Sequence, residues 1–121
     1  MKKSSIVERT VAGVDIGGTK VTFILWSNGS MQYKLVLPYA AQSGREFSEL
    51  ILKGMADLCQ RATGAGTSIM GTGIGCAGMV DQKRGVLRFS PNMPGVRDVA
   101  LAQIVAEGTD APAYLENDAN C

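Results

Sequence analysis

Hydrophobic and polar positions fall in blocks along this chain, and the blocks differ in period. Val11 to Ile16 is a short apolar run ending at Gly17-Gly18, the pattern of a buried strand. Lys20 to Trp26 alternates, and the Asn28-Gly29 that follows is a hairpin turn signal. Met31 to Leu37 predicts a third strand, stopped by Pro38. The chain therefore opens as a meander of two hairpins with Gly17-Gly18-Thr19 as the first turn. The period then becomes helical. Phe47, Leu50, Ile51, Met55, Leu58, Cys59 and Ala62 share one face, Ser43 and Glu46 form a capping-box pair ahead of them, and Gly64 and Gly66 close the segment.

Ile69 to Cys76 predicts a fourth strand, with Gly71, Gly73 and Gly75 on one face and Met70, Thr72, Ile74 and Cys76 on the other. A bare strand face marks close approach by a helix or a ligand. Helix packing is expected at Gly71, and ligand proximity nearer the strand's C-terminal end. Val80 to Leu87, interrupted by the polar run Asp81 to Gly85, predicts a small hairpin. Ser90 to Gly95 holds two prolines and is expected to be an irregular loop. Asp98 is the expected cap of a short helix running through Glu107 and closed by Gly108. Ala113 to Leu115 predicts a last strand that runs into Glu116-Asn117-Asp118.

The resulting order, βββαβαβ, predicts an α/β lobe: a mixed sheet with helices packed against it. Ligands gather at the C-terminal ends of parallel strands in such sheets. Two polar clusters fall at strand ends, Asp15 to Lys20 and Asn117-Asp118.

Composition narrows the function classes. The 121 residues suffice for one domain, and 45% hydrophobic with 19% charged residues is a globular balance. A net charge of +1 without a basic run gives no nucleic-acid surface, and no segment approaches the length of a membrane span. Lys2 and Lys3 belong to a solvated tail, because Glu8 and Arg9 interrupt any apolar stretch a signal peptide would need. Three scattered cysteines argue for a reducing, cytoplasmic setting. The chain has no histidine, which excludes a Ser-His-Asp or Cys-His mechanism and His-ligated zinc within these residues. Acid–base work near neutral pH is left to a carboxylate.

In Asp15-Ile16-Gly17-Gly18-Thr19-Lys20, two glycines let the backbone turn tightly and bring its N–H groups close to an anion. Thr19 adds a hydroxyl, Lys20 a charge, and Asp15 a carboxylate able to hold Mg²⁺ through water. An ordinary hairpin with a glycine turn accounts for the same residues. A Walker A loop is absent. Gly73, Gly75 and Gly78 spell the dinucleotide spacing, with Asp98 about 20 residues on. That motif must open a helix, and a polar turn follows here instead. At Asn117-Asp118, a carboxylate can take a proton from a substrate hydroxyl while the amide orients another hydroxyl. Helix capping by the same two residues is the alternative.

Four segments, in order over nearly the whole chain, resemble the ROK family of repressors, open reading frames and kinases. Gly13 to Lys20 is similar to its opening phosphate motif, Gly73 to Asp81 to its second glycine-rich segment, Ser90 to Gly95 to its sugar-side loop, and Glu116 to Cys121 to the segment carrying its catalytic base. The resemblance implies the actin-like ATPase (ribonuclease H-like) fold, with residues 1–121 as a single N-terminal lobe and the C-terminal lobe missing. It implies ATP and Mg²⁺, and phosphoryl transfer to a hexose or N-acetylhexosamine. By matching position Asp118 becomes the base. Asn117, Gly78 and Asn92 become sugar contacts, Gly17, Gly18, Thr19 and Lys20 face the ATP phosphates, and Asp15 faces the metal.

Val96 stands where a Trp often follows the Pro-Gly of glucose-type members, which weakens glucose as the substrate. The complete protein would be a homodimer with a possible structural zinc in the missing lobe. The isolated chain is expected to bind ligands weakly and not to turn over. The alternative within the family is a sugar-responsive transcriptional regulator. Only Met1 to Thr10 precede the first strand, too few for a DNA-binding domain, and Asp118 is retained, so the kinase is the expected class.

Overall fold

The computed structural model describes residues 9–40 and 43–117. Strands β1 (Thr10–Ile16), β2 (Lys20–Ser27) and β3 (Ser30–Pro38) form the expected meander. Asn28 and Gly29 both take positive φ, 55° and 84°, as a tight two-residue hairpin requires. Helix α1 (Gly44–Gly64) follows, its first turn capped by Ser43 Oγ, which accepts from the Glu46 N–H at 3.2 Å. Strand β4 is Ile69–Cys76. After it come β5 (Met79–Asp81), β6 (Val86–Ser90) and β7 (Met93–Val99), then α2 (Leu101–Thr109) and β8 (Ala113–Asn117).

The principal sheet has the order β3-β2-β1-β4-β8, and β5-β6-β7 form a second, three-stranded antiparallel sheet. Within the principal sheet the elements follow the expected order, with the small sheet inserted between β4 and α2. β1, β4 and β8 are parallel neighbours, and β2 and β3 extend the sheet antiparallel to β1.

One face of the principal sheet carries the core. Val14, Ile16, Val21, Phe23, Ile74 and Leu115 are buried against Phe47, Ile51, Met55 and Leu58 of α1 and Leu101 and Val105 of α2. Apolar burial of this kind is the main favourable term in folding. Gly54 is where α1 meets β2: a Cβ there would run into the ring of Phe23, so glycine lets the helix backbone rest on the aromatic face.

Three expectations are corrected. The stretch from Ser90 to Gly95 is not all loop, because Met93 begins β7, paired to β6. Its buried residues, Met93, Val96 and Val99, recur every third position rather than every second, so the strand carries no alternation to detect. Pro94 is tolerated because β7 is an edge strand. Asp98 does not cap α2. It takes φ 54° within β7 and pairs with Arg88 at 2.7 Å, while Ala100 precedes the helix without a side-chain cap and Asp110, with φ 56°, ends it in place of Gly108. Gly71 does not receive a helix: a Cβ there would meet only the Pro112 carbonyl, at 3.6 Å, and the helices cover the opposite face of β4.

Candidate functional site

The three parallel strands end level. Ile16 of β1 lies opposite Cys76 of β4, and Cys76 lies opposite Asn117 of β8. The glycine turn, the Ala77-Gly78 segment and Asn117 are thereby carried to one end of the sheet. Asp118 follows directly in the chain and lies outside the described residues.

The turn after β1 is closed by the Gly17 N–H, which donates to the Lys20 carbonyl at 2.9 Å. Gly18, Thr19 and Lys20 are exposed. The N–H groups of Gly18 and Thr19 have no acceptor among the described residues. Two carbonyls of the turn are held by Tyr39, whose hydroxyl donates to the Gly17 carbonyl and whose N–H donates to the Thr19 carbonyl at 3.0 Å. Burial, and secondarily charge on nearby Cys76, push the Tyr39 phenol above its ordinary 10.0, so it stays a donor at neutral pH.

The Ser90 to Gly95 segment reaches this turn. A Cβ on Gly18 would sit 3.6 Å from Asn92 Nδ2, in ordinary van der Waals contact. Gly78 has φ 140°, and a Cβ there would approach the Phe89 carbonyl to 2.7 Å, so both conformation and space demand glycine. The Gly78 carbonyl accepts from Asn117 Nδ2. Asn92 thus stands beside Gly18, Asn117 is bonded to Gly78, and Ser90 lies 3.3 Å from where a Gly78 Cβ would stand, so all four segments meet at the strand ends. Val96 is fully buried in β7, so its size bears on core packing.

Asp15 is set apart from Asn117. It is exposed on the sheet face away from the helices, level with Gly75 and Glu116. Two strand spacings, about 10 Å, separate the Asp15 and Glu116 backbones, with the bare Gly75 between them. Asp15 has no ion pair among the described residues. Glu116 is absent from the candidate residues because strand parity turns it from Asn117. The same parity, carried through the parallel register, aligns it with Asp15. Tyr39 was also missed, although the Lys20–Pro38 pairing places the residue after Pro38 beside the turn.

The dinucleotide alternative does not fit the fold. Strand β5, not a helix, follows Gly78, and Asp98 is tied to Arg88. No helix among the described residues is long and apolar enough to cross a membrane.

This arrangement, a mixed sheet with a glycine turn and polar side chains at the ends of three parallel strands, belongs to the actin-like ATPase fold. The model of the ROK family matches residues 11–121, and the chain belongs to that family. It is 33% identical over 109 residues to a glucokinase of Thermotoga maritima, covering 89% of this chain and 33% of the relative. It is 30% identical over 110 residues to an N-acetyl-D-glucosamine kinase of Escherichia coli, covering 90% and 35%. A ROK hexokinase from Thermus thermophilus superposes with a TM-score of 0.73 at 37% identity, over 92% of this chain and 36% of that one. A ROK transcriptional regulator, a homologue of the E. coli MLC protein, superposes over 90% of this chain and 28% of that one, with a TM-score of 0.80 at 16% identity, a likeness of fold alone. The chain spans about a third of the length of the curated relatives it matches.

Proposed function

We propose that this chain is the N-terminal lobe of a two-lobe sugar kinase that transfers the γ-phosphoryl group of ATP to a hydroxyl of a hexose or N-acylhexosamine. The observation that carries the reading is the level ending of β1, β4 and β8, which gathers the glycine turn, Gly78 and Asn117 at one place in a ROK-family chain. The glucokinase and N-acetyl-D-glucosamine kinase relatives support the reaction class.

In this reading the free N–H groups of Gly18 and Thr19, with Gly17 behind them and the Lys20 charge beside them, receive the ATP phosphates. Preorganised donors of this kind stabilise charge without reorganising during the reaction. Gly78, Asn92 and Asn117 hold the sugar, and Asp118 takes the proton of its hydroxyl. That oxygen then forms its bond to the γ-phosphorus as the bond to the β,γ-bridging oxygen breaks and ADP leaves. Phosphoryl transfer asks the protein mainly for positioning and charge stabilisation. Asp15 suits Mg²⁺ held through water, since it is an exposed carboxylate without a cationic partner among the described residues. The metal would neutralise phosphate charge when bound. The complete protein is read as a cytoplasmic homodimer with any structural zinc in its second lobe. This lobe alone supplies one wall of the cleft and does not turn over.

The test is ADP release by the complete protein against a panel of hexoses and N-acetylhexosamines with Mg·ATP. Sugar-dependent release from one or a few of them is expected. Specific promoter binding without sugar-dependent release would move the protein to the regulator class.

A further inference from the structure

The mechanism above uses the backbone of the glycine turn and leaves open what aims it. Tyr39 lies outside all four motif segments, yet it holds two of the turn's carbonyls, Gly17 by its hydroxyl and Thr19 by its backbone N–H. In a trans peptide the C=O and the following N–H point in opposite directions. Tying the Gly17 carbonyl to the Tyr39 hydroxyl therefore turns the Gly18 N–H away from Tyr39, toward open solvent. Gly18 is exposed, and its N–H has no acceptor among the described residues.

Tyr39 is itself anchored. Its ring meets that of Phe47 edge-on, with centroids 5.8 Å apart at 70°, and Phe47 is fully buried in α1. The preceding residue, Pro38, pairs with Lys20 at the other end of the turn. A continuous line of contacts runs from the core through Phe47 and the Tyr39 ring to the Gly17 carbonyl. Glycine at positions 17 and 18 makes the turn conformationally permissive, so an external tether is needed to hold one orientation of its peptides.

We propose that Tyr39 is a positioning residue for nucleotide binding, its hydroxyl fixing the Gly17–Gly18 peptide so that the Gly18 N–H is preset for a phosphate oxygen. The proposal rests on the phosphate role given to this turn above. The hydroxyl makes no contribution to the ring packing on Phe47, so Tyr39→Phe keeps the anchor and the backbone bond to Thr19 and deletes only the aiming contact.

The experiment has two arms. The isotopically labelled complete protein and its Tyr39→Phe variant are titrated with Mg·ATP and followed through the Gly18 and Thr19 amide resonances. The complete kinase and the same variant are assayed for KM toward ATP, KM toward sugar and kcat. Expected is a response of those amides in the unsubstituted protein, an ATP affinity weakened about threefold to tenfold in the variant, the scale of one lost hydrogen bond, an unchanged sugar KM, and a urea midpoint lowered by no more than that one bond. Equal ATP affinity in variant and parent overturns the positioning role while leaving the phosphate role of the turn intact. Parallel loss of ATP affinity, sugar affinity and stability also overturns it, as a general packing defect. Absence of any Gly18 or Thr19 response in the unsubstituted chain overturns both readings together.

Discussion

Asn117 Nδ2 donates a hydrogen bond to the carbonyl of Gly78, so the end of β8 is fastened to the segment that leaves β4. The two residues are far apart in the chain and meet because β4 and β8 are parallel neighbours with Cys76 opposite Asn117. The bond gives Asn117 a structural task beside the ligand contact proposed for it. Asn117→Asp removes the donor and sets a carboxylate against a carbonyl. Loss of a part-buried hydrogen bond costs about 0.5–1.5 kcal/mol, and a lowered urea midpoint together with weakened sugar binding is the expected outcome. An unchanged midpoint would leave the contact without energetic weight.

Gly78 is the other half of that fastening. With φ 140° and the Phe89 carbonyl 2.7 Å from where a Cβ would stand, it accepts no side chain without backbone movement. Gly78→Ala is expected to destabilise the lobe by about 1–3 kcal/mol from the strained conformation alone, and to shift the amide resonances of Asn117 and Phe89. Unperturbed resonances would contradict the geometry.

Two helix glycines should respond in opposite directions. Alanine in a helix interior is favoured over glycine by about 1 kcal/mol. Gly64 is the last residue of α1 and a Cβ there meets nothing within 4 Å, so Gly64→Ala should gain about 0.4–1 kcal/mol, chiefly by restricting the unfolded chain. At Gly54 the Cβ would enter the Phe23 ring, and overpacking costs about 1–3 kcal/mol. Gly54→Ala is therefore expected to be net destabilising. Thermal melts of the two variants check this, and stabilisation by both would refute the close packing of α1 on β2.

Stability should fall on the alkaline side. Burial raises Cys59 above 9.0 and Tyr39 above 10.0, and a hydrogen bond to Asp57 is the leading cause that raises Tyr33 above 10.0. Each group holds its proton more tightly folded than unfolded. Their contribution is therefore fully present below pH 9 and is lost as pH climbs through 9 to 10 and beyond, where the unfolded chain ionises first. Urea midpoints measured from pH 7 to 11 should be flat at first and then drop. Tyr39→Phe and Cys59→Ser should each lessen the drop, and a rising midpoint would reverse the sign of these shifts.

The parts of this fold legible in the sequence are those where one local rule acted alone. The Asn28-Gly29 turn, the Ser43 cap and the apolar stripe of α1 are set by neighbours in the chain, and all three are present. Strand β7 was hidden because Met93, Val96 and Val99 recur every third residue, and because its fit depends on pairing with β6. Asp98 looked like a cap from its type and place, yet Arg88 on the adjacent strand claimed it. For the site, strand ends pointed to the glycine turn and Asn117. The roles of Tyr39 and the alignment of Asp15 with Glu116 depend on inter-strand register, which a single sequence does not display.

The strand-end cluster is proposed to deliver a sugar hydroxyl to ATP with Asp118 as its base. The most direct measurement is phosphorylation and sugar binding by the complete protein carrying Asp118→Asn. A positioned base contributes about 10²–10⁴ in rate. Asp118→Asn is expected to lose sugar-dependent ADP release on that scale with the sugar dissociation constant nearly unchanged. Phosphorylation at the parent rate would contradict it.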